Sequence, residues 1–273
     1  GIDNGIVDEA PIKLFIMGVN TWRDEWEWPL ARTQWRKVYL GSDGQANSLI
    51  GDGRLSFTQA QGDGQGDGQG DGQSDGQSDE QGAEADHFVY DPRYPVQTMG
   101  GNNCCSPDIV PWGPYDQRPV EMRADVLCYS SEPLTQDLEV TGPVQVVLYA
   151  ATDGRDTDWT AKLVDVAPSG YAKNLCDGII RARYRDGFDE AKLLEPGTVY
   201  PYTIEVGVTG NVFKKGHRIR VEISSSNFPR FDRNPNTGND YGIDEQLRTA
   251  RQTVCHSKAY PSHILLPFIP AGA

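Results

Sequence analysis

Residues 217–225 read HRIRVEISS. From Arg218 to Ile223, charged and apolar side chains alternate one by one. A period of two is typical of a β-strand, because successive side chains point to opposite faces of the sheet. The stretch therefore predicts a strand with one face buried and the other face in water.

Short apolar runs bounded by turn residues recur along the chain and predict further strands. Only Asp244–Gln252 has the composition of a helix. Because strands and helices do not alternate, a Rossmann or TIM-barrel architecture is excluded. The fold we predict is all-β, an antiparallel β-sandwich of jelly-roll (galactose-binding-like) topology. Its strands are expected at Ile12–Met17, Lys37–Leu40, Asp125–Ser130, Val144–Ala151, Thr160–Val166, Ile179–Tyr184, Val199–Val206, His217–Ser225 and His263–Leu266.

The 273-residue chain is acidic, with 25 Lys and Arg against 39 Asp and Glu and a formal net charge of −14. A general nucleic-acid binder needs clustered basic residues to replace counterions on phosphates, so this class is excluded. The same balance argues against an anionic membrane surface as partner. No stretch approaches the ~20 consecutive apolar residues of a membrane span. We therefore expect a globular protein whose partner is neither nucleic acid nor membrane.

A polar repeat interrupts the first third of the chain. Residues 62–81 are five tandem tetrapeptides, GDGQ, GDGQ, GDGQ, SDGQ and SDEQ. A calcium-binding β-helix repeat has nine residues and an apolar position that packs inward, and neither is present here. We therefore expect a disordered low-complexity insertion at 61–85. The rest fits one large all-β domain or two smaller ones, and we assign 1–60 and 86–273 to a single jelly-roll domain.

The chain has five cysteines, an odd number, and no CxxC pair or zinc-type spacing. This is not the pattern of a disulfide framework. A bridge between the adjacent Cys104 and Cys105 would strain the backbone, so we expect free thiols, which fit a cytoplasmic protein. The first residues, GIDNG, carry neither an initiator Met nor an apolar signal sequence, and they leave the localisation open.

Two short patterns suggest catalysis only at first sight. A G-x-S-x-G pattern occurs at Gly72–Gly76, but it lies inside the polar repeat, without the strand and helix that expose a nucleophile. His256 and Ser257 adjoin, yet neighbours in a strand point to opposite faces and do not form a base–nucleophile pair. The residues therefore predict no self-contained catalytic site.

Metal binding is not expected either. Asp232–Gly238 resembles the start of a calcium loop, but Thr237 and Ile243 stand where an EF-hand needs Gly and a bidentate acid. A turn rich in Asn and Pro explains the stretch better. The four histidines form no HxH or HExxH pair. We predict neither a metal nor another cofactor.

Four of the six tryptophans, Trp22, Trp26, Trp28 and Trp35, lie within 14 residues. Aromatic clusters form sugar-binding platforms, and they also pack one domain against another. Here charged residues are mixed with the aromatic ones, which suits an interdomain edge. We therefore predict that these four tryptophans pack against another domain.

Six long stretches resemble one family: residues 11–30, 87–105, 116–150, 156–185, 211–238 and 261–270. Among them are PIKLFIMGVNTWRDEWEWPL, HFVYDPRYPVQTMGGNNCC and PSHILLPFIP. They are similar to the C-terminal jelly-roll domain of the CocE/NonD-type serine hydrolases, which include cocaine esterase, α-amino acid ester hydrolases and X-prolyl dipeptidyl-peptidases. The resemblance covers almost the whole chain apart from the insertion.

The resemblance implies that an α/β-hydrolase domain and a helical cap domain precede this domain, in the same parent chain or in a split partner. These hydrolases cleave esters, amides or X-Pro peptides with a Ser-Asp-His triad, which would lie upstream of Gly1. No catalytic residue can therefore be transferred to this sequence, and the chain alone is expected to be inactive.

The resemblance also implies one substrate-side element. In the family, the loop after the Gly-Gly of PVQTMGG approaches the active-site mouth. Here this loop, which we call the lip loop, is expected to form a wall of the pocket or, more simply, an interdomain connection. It consists of Gly100, Gly101, Asn102, Asn103, Cys104 and Cys105.

Two rival functions follow from the residues themselves. A free-standing carbohydrate-binding jelly roll would need exposed aromatics along a concave face, whereas the tryptophans cluster near one end of the sequence. A self-sufficient enzyme would need a nucleophile with an activating base, and no such pair is evident. A domain separated from its parent would expose an apolar face, so a homodimer is a further expectation.

Overall fold

The structure, a computed structural model, describes residues 5–59, 84–103, 108–240 and 242–271. Strands dominate these residues, which confirms the predicted all-β class. Their helices are a four-residue turn, α1 (Arg118–Glu121), and two 3-10 turns, Ile6–Asp8 and Ala182–Tyr184. The strands are β1 (Ile12–Ile16), β2 (Thr21–Glu25), β3 (Gln34–Gly41), β4 (Arg54–Ser56), β5 (Ala85–Tyr90), β6 (Leu127–Ser130), β7 (Leu138–Thr152), β8 (Asp158–Val166), β9 (Ala172–Arg181), β10 (Tyr200–Phe213), β11 (Arg218–Ser224), β12 (Ala250–Cys255) and β13 (His263–Ile269).

Eleven of these strands form one hydrogen-bonded sheet, in which ten follow one another in a continuous path. Its order is β5, β12, β7, β13, β3, β4, β6, β11, β8 and β9, with β10 on the other side of β7. The ladders are antiparallel except for one parallel pair, Arg54 of β4 with Ser130 of β6. The last strand, β13, lies between β7 and β3 and pairs with both. β1 and β2 form a separate hairpin.

The hydrogen-bonded path folds over so that its two halves face each other. Trp159 of β8 is fully buried, and its ring centroid lies 6.3 Å from Phe88 of β5 and 5.9 Å from Tyr202 of β10. Alternate residues of β7, such as Val144, Val146 and Leu148, fill the same apolar core. Two layers with a shared apolar interior form the predicted sandwich.

The helix predicted at Asp244–Gln252 is wrong. Residues 244–249 are irregular, and Ala250–Cys255 form β12, which pairs with β5 on one side and β7 on the other. Between two strands, every other side chain is buried, including Gln252 and Val254. Pairing with distant strands therefore overrides the helical composition of the segment.

The solvent-exposed face predicted for residues 217–225 is also wrong, although the strand itself is confirmed. Arg220 and Glu222 of β11 are only 7% and 2% exposed. The alternation separates the core side of β11 from a polar side, and further chain covers that polar side. Residues 60–83 of the predicted insertion lie outside the described residues, and β5 begins at Ala85, the last residue of the range predicted for the insertion.

Candidate functional site

Irregular chain lies over the polar side of β8 and β11. We call residues 94–103 and 108–126 the covering segment. Its backbone is tied to the sandwich: Thr98 N donates to Phe228 O at 2.7 Å, and Gln117 N donates to Ala172 O at 2.8 Å. Its apolar side chains pack into a small cluster of their own with Cys128, and Met99 packs against that cluster. The covering segment therefore seals the polar face from water.

Four charged side chains meet beneath the covering segment, and we call them the buried charge cluster. Arg220 Nη1 donates to Glu121 Oε2 at 2.8 Å. Lys162 Nζ lies 3.0 Å from Glu222 Oε2 and donates to Gln117 Oε1 at 2.9 Å. Each of the four charged residues is less than a tenth exposed. Two acids and two bases balance in charge, which offsets part of the cost of removing them from water.

Glu121 differs from an ordinary surface carboxyl. Burial, followed by the neighbouring charge of Glu222, raises the pKa of Glu121 to about 7, and Arg220 counteracts only part of this effect. Among the described residues, Glu121 Oε1 and both carboxyl oxygens of Glu222 find no hydrogen-bond donor.

Residues 100–103 of the lip loop lie on the same face. Gly101 N donates to Gly113 O at 2.7 Å, and Gly113 N donates to Gly101 O at 2.9 Å. Gly100 has φ +68°, and a Cβ on it would lie 2.5 Å from Gly113 O. Only glycine fits this backbone conformation and this close approach. Asn102 is exposed, Asn103 Nδ2 donates to Gly100 O at 2.6 Å, and Cys104 and Cys105 lie outside the described residues.

Gln117 connects the lip loop with the buried charge cluster. Its Nε2 donates to Met99 O at 2.8 Å and to Tyr115 O at 3.0 Å, while its Oε1 accepts from Lys162. Met99 directly precedes the lip loop, and Tyr115 follows the glycine that pairs with it. The buried amide of Gln117 therefore binds backbone carbonyls on both sides of the loop and is itself bound by Lys162.

The predicted interdomain tryptophans all lie at the surface. Trp22 is 66% exposed and Trp26 is 70% exposed, and Trp28 and Trp35 are exposed as well. Trp22 faces Phe15 across the β1–β2 hairpin, with ring centroids 5.4 Å apart. We call these four tryptophans and Phe15 the tryptophan surface. The structure thus shows that the cluster does not fill the core of the sandwich.

Ion pairs on the opposite face fix the β1–β2 hairpin to the sandwich. Arg23 donates to both carboxylate oxygens of Glu139 at 2.9 and 2.7 Å, and to Glu25 at 2.6 Å. Arg32 also donates to Glu25, and its guanidinium holds the pKa of Glu25 below the ordinary value. Bidentate pairs of this kind orient as well as attract. These ion pairs therefore hold in place the hairpin that carries Phe15 and Trp22 of the tryptophan surface.

The structure brings together a serine, a histidine and an aspartate that no sequence pattern connects. Asp86 Oδ2 accepts from Ser42 Oγ at 2.7 Å and from Tyr129 OH at 2.8 Å, and His256 Nε2 lies 3.1 Å from the same oxygen. His256 Nε2 is also 3.0 Å from Ser42 Oγ. A triad histidine uses one ring nitrogen for the acid and the other for the nucleophile. Here one nitrogen meets both, so the contact fits a buried hydrogen-bond network.

The loop that resembled a calcium site is built as a structural turn. Asn234 Nδ2 donates to Asp156 at 2.9 Å and to Asp158 at 2.8 Å, and Asn234 Oδ1 accepts from the backbone of Asn236. In the described ranges, no group of three or more His, Cys, Asp or Glu residues could hold a metal ion. The Gly72–Gly76 pattern lies outside the described residues.

The fold defines a jelly-roll domain of the all-β sandwich class. Over residues 4–265 the chain matches the family model of the X-Pro dipeptidyl-peptidase C-terminal non-catalytic domain. The chain belongs to this family, a non-catalytic domain of CocE/NonD-type serine hydrolases. The family predicted from the sequence is thereby confirmed.

The relatives include hydrolases of known name. The chain is 44% identical over 271 residues to cocaine esterase of Rhodococcus sp. (strain MB1 Bresler), covering 98% of this chain and 43% of that protein. An aminopeptidase from a marine sediment Thaumarchaeota archaeon superposes with a TM-score of 0.76 at 30% identity, over 94% of this chain and 40% of its own. An α-amino acid ester hydrolase gives 0.77 at 29% identity, over 95% and 41%. The chain spans less than half the length of these relatives.

In the part of the chain that the structure describes, none of the helices has the length and apolar character needed to span a membrane.

Proposed function

We propose that this chain is the non-catalytic part of a serine hydrolase of esters, amides or X-Pro peptides. In this role it packs on the α/β-hydrolase domain and braces the cap, and its lip loop borders the active-site mouth. The observation that supports this most is the exposed tryptophan surface, of which Phe15 and Trp22 lie on a hairpin that ion pairs hold in place.

The energetics of the tryptophan surface favour a protein partner. Fully burying a large apolar side chain contributes about 1.5–3 kcal/mol, so covering Trp22 and Trp26 would stabilise a complex substantially. Tryptophan and arginine are enriched among the residues that dominate interface energies. Since Arg23 and Arg32 already hold the hairpin, little conformational entropy remains to be lost on docking.

The Ser42–His256–Asp86 contact supports a non-catalytic role for the chain alone. Ser42 is 1% exposed, and its Oγ already donates to Asp86 and accepts from Gly44 N at 3.0 Å. A nucleophile must meet its substrate and pass its proton to a base. This serine is out of reach of solvent, and its proton points to the acid. We therefore propose that the catalytic triad belongs to the hydrolase domain.

Substituting the tryptophan surface tests the docking role. A hybrid in which this chain replaces the matching part of Rhodococcus cocaine esterase should hydrolyse a 4-nitrophenyl ester and unfold in one thermal transition. Trp22→Ser combined with Trp26→Ser should weaken docking by more than about 2 kcal/mol, because hot-spot aromatics are lost. Calorimetry should then show two separate transitions, and kcat/KM should fall about tenfold or more.

The matched control for this experiment is Phe188→Ser. Phe188 is 88% exposed and lies in the segment before β10, with its ring centroid 5.7 Å from that of Tyr184. It should leave the single transition and kcat/KM unchanged. If the double tryptophan variant behaves like this control, the docking role of the tryptophan surface is wrong.

The lip loop is tested in the same hybrid. Replacing Cys104 and Cys105 by Ala should change the ratio of kcat/KM between a bulky and a small acyl ester about tenfold, since one or two methylenes in a pocket are worth about 1–3 kcal/mol. Thr198→Ala, at an exposed turn before β10, serves as the control. An unchanged substrate profile would reduce the lip loop to a simple interdomain connection.

A further inference from the structure

We propose that a polar cavity beside the start of β8 and the end of β9 binds one ring of a neutral sugar. This binding site is additional to the proposed docking role and does not depend on it. The cavity has a volume of about 280 Å³, which suits a single small ring rather than a drug-sized ligand. The residues of its lining that carry the argument are Arg183, Phe228, Asp232, Arg233 and Asp240.

Buried amides fix the shape of the cavity. Asn234 is 2% exposed, and its Nδ2 donates to Asp156 and to Asp158 at the start of β8. Asn236 is fully buried, and its Nδ2 donates to Arg248 O at 2.7 Å. These bonds hold the irregular chain after β11 against the sandwich. The cavity is therefore formed before a ligand enters, and binding loses little conformational entropy.

The cavity offers hydrogen-bond donors that the described chain leaves unused. Arg183 is 8% exposed, and its Nε and Nη2 donate to Asp156 and to Asn239 O at 2.7 and 2.8 Å. Its Nη1 has no partner among the described residues. Within the same part of the chain, Arg233 uses only its Nη1, which donates to Pro92 O at 3.1 Å. Both guanidinium groups therefore retain N–H donors for the oxygen atoms of a ligand.

Carboxylates in the same lining supply acceptors. The side chain of Asp232 is 51% exposed, and its oxygens lie 3.3 and 3.4 Å from Arg181 Nη2, which also donates to Asp158. Asp240 forms no hydrogen bond or ion pair with the other residues that the structure describes. An ionised carboxyl has about four lone-pair sites, so both groups can accept further hydrogen bonds.

The mixture of charges favours a neutral ligand. The described lining holds three arginines and four aspartates, so a simple anion would meet carboxylates and a simple cation would meet guanidinium groups. A hydroxyl group both donates and accepts. Neighbouring hydroxyls on one ring can therefore bind a guanidinium and a carboxylate at the same time, without breaking the ion pairs already formed.

An aromatic side chain completes the match with a sugar ring. Phe228 lines the cavity and is 40% exposed. Its backbone is fixed on both sides, because its N donates to Val96 O at 2.9 Å and its O accepts from Thr98 N at 2.7 Å. The C–H face of a pyranose ring is apolar and packs against an aromatic face, while its hydroxyls point outwards to polar partners. A ligand with one apolar face and several hydroxyls therefore fits this lining.

Saturation-transfer NMR on the whole chain tests the proposal. The probes are the methyl pyranosides of glucose, galactose and mannose, and at least one should bind with a dissociation constant of about 1–10 mM, as expected for a ligand of about 13 heavy atoms. Asp232→Asn and Phe228→Ser should each weaken this binding about fivefold or more, because each removes one contact with the ring. Glu132→Gln changes a carboxyl that is 95% exposed after β6, and it should leave the binding unchanged.

The unsubstituted chain gives a second readout that does not depend on the folding of a variant. In its 1H–15N spectrum, the bound glycoside should shift the amide signals of residues 232–237. The proposal is overturned if none of the glycosides binds at about 50 mM, or if the shifted signals belong to the tryptophan surface instead. It is also overturned if L-alanine or sulfate binds more tightly than every glycoside, since the cavity would then take a zwitterion or an anion.

Discussion

Arg220→Met should lower the free energy of unfolding by about 3–5 kcal/mol, the cost of removing one partner from a buried ion pair. Arg220 is the cation nearest to Glu121, and both lie beneath the covering segment with little access to water. Methionine fills the space but leaves Glu121 without its counter-ion. Urea unfolding at pH 8, followed by circular dichroism, measures the loss.

The pH dependence gives this prediction a second check. The folded-state pKa of Glu121 is raised from 4.5 to about 7, so the folded chain holds this proton more tightly than the unfolded chain does. Stability from this group therefore increases as pH falls through that window and is lost as pH rises through it. Arg220→Met should recover part of its loss near pH 5.

Arg218→Met is the matched control on the same strand. Arg218 is more exposed, and its partner Glu132 lies 3.6 Å away in solvent, where an ion pair contributes about 0–1 kcal/mol. A loss as small for Arg220→Met as for Arg218→Met would mean that the buried charge cluster does not support the covering segment.

Trp159→Ala should cost about 3–5 kcal/mol, the usual range for removing a buried aromatic from a core. The Trp159 ring packs between the two layers, since it meets Phe88 from one strand and Tyr202 from another. Removing it leaves a cavity that two rigid sheets cannot close. Thermal unfolding by calorimetry measures the effect.

Two further variants distinguish core packing from other causes. Trp159→Phe keeps part of the ring volume and should lose less than Trp159→Ala. Trp112→Ala removes a half-exposed tryptophan and should cost under about 1 kcal/mol. Equal losses for Trp159→Ala and Trp112→Ala would contradict the assignment of Trp159 as the link between the layers.

The alternating stretch from Arg218 to Ile223 shows how far local sequence reaches. Period two predicted the strand correctly, because side-chain direction depends only on the backbone of the strand itself. Whether Arg220 meets water depends on Glu121, 99 residues away along the chain. No local pattern contains that information, so the predicted exposed face was wrong.

The helix error and the Ser42 contact have the same origin. β12 is a strand because β5 and β7 offer it two sets of backbone partners, and its own residues do not show this. His256 meets Asp86 at a separation of 170 residues and Ser42 at 214. The sequence analysis paired His256 only with Ser257, its direct neighbour in the chain, as a possible base and nucleophile. The docking role of the tryptophan surface and the pocket role of the lip loop remain predictions, which the hybrid experiments test.

The position of β13 has a consequence for the order in which the chain is made. This strand is the last one in the described sequence, yet it lies between β3 and β7. On the ribosome, the sandwich cannot close until β13 has emerged, because the residues of β3 and β7 that pair with β13 have no other strand on those sides. Until then β3 and β7 present open hydrogen-bonding edges, which are templates for aggregation. Timely release of the last strand thus determines whether synthesis ends in a folded domain.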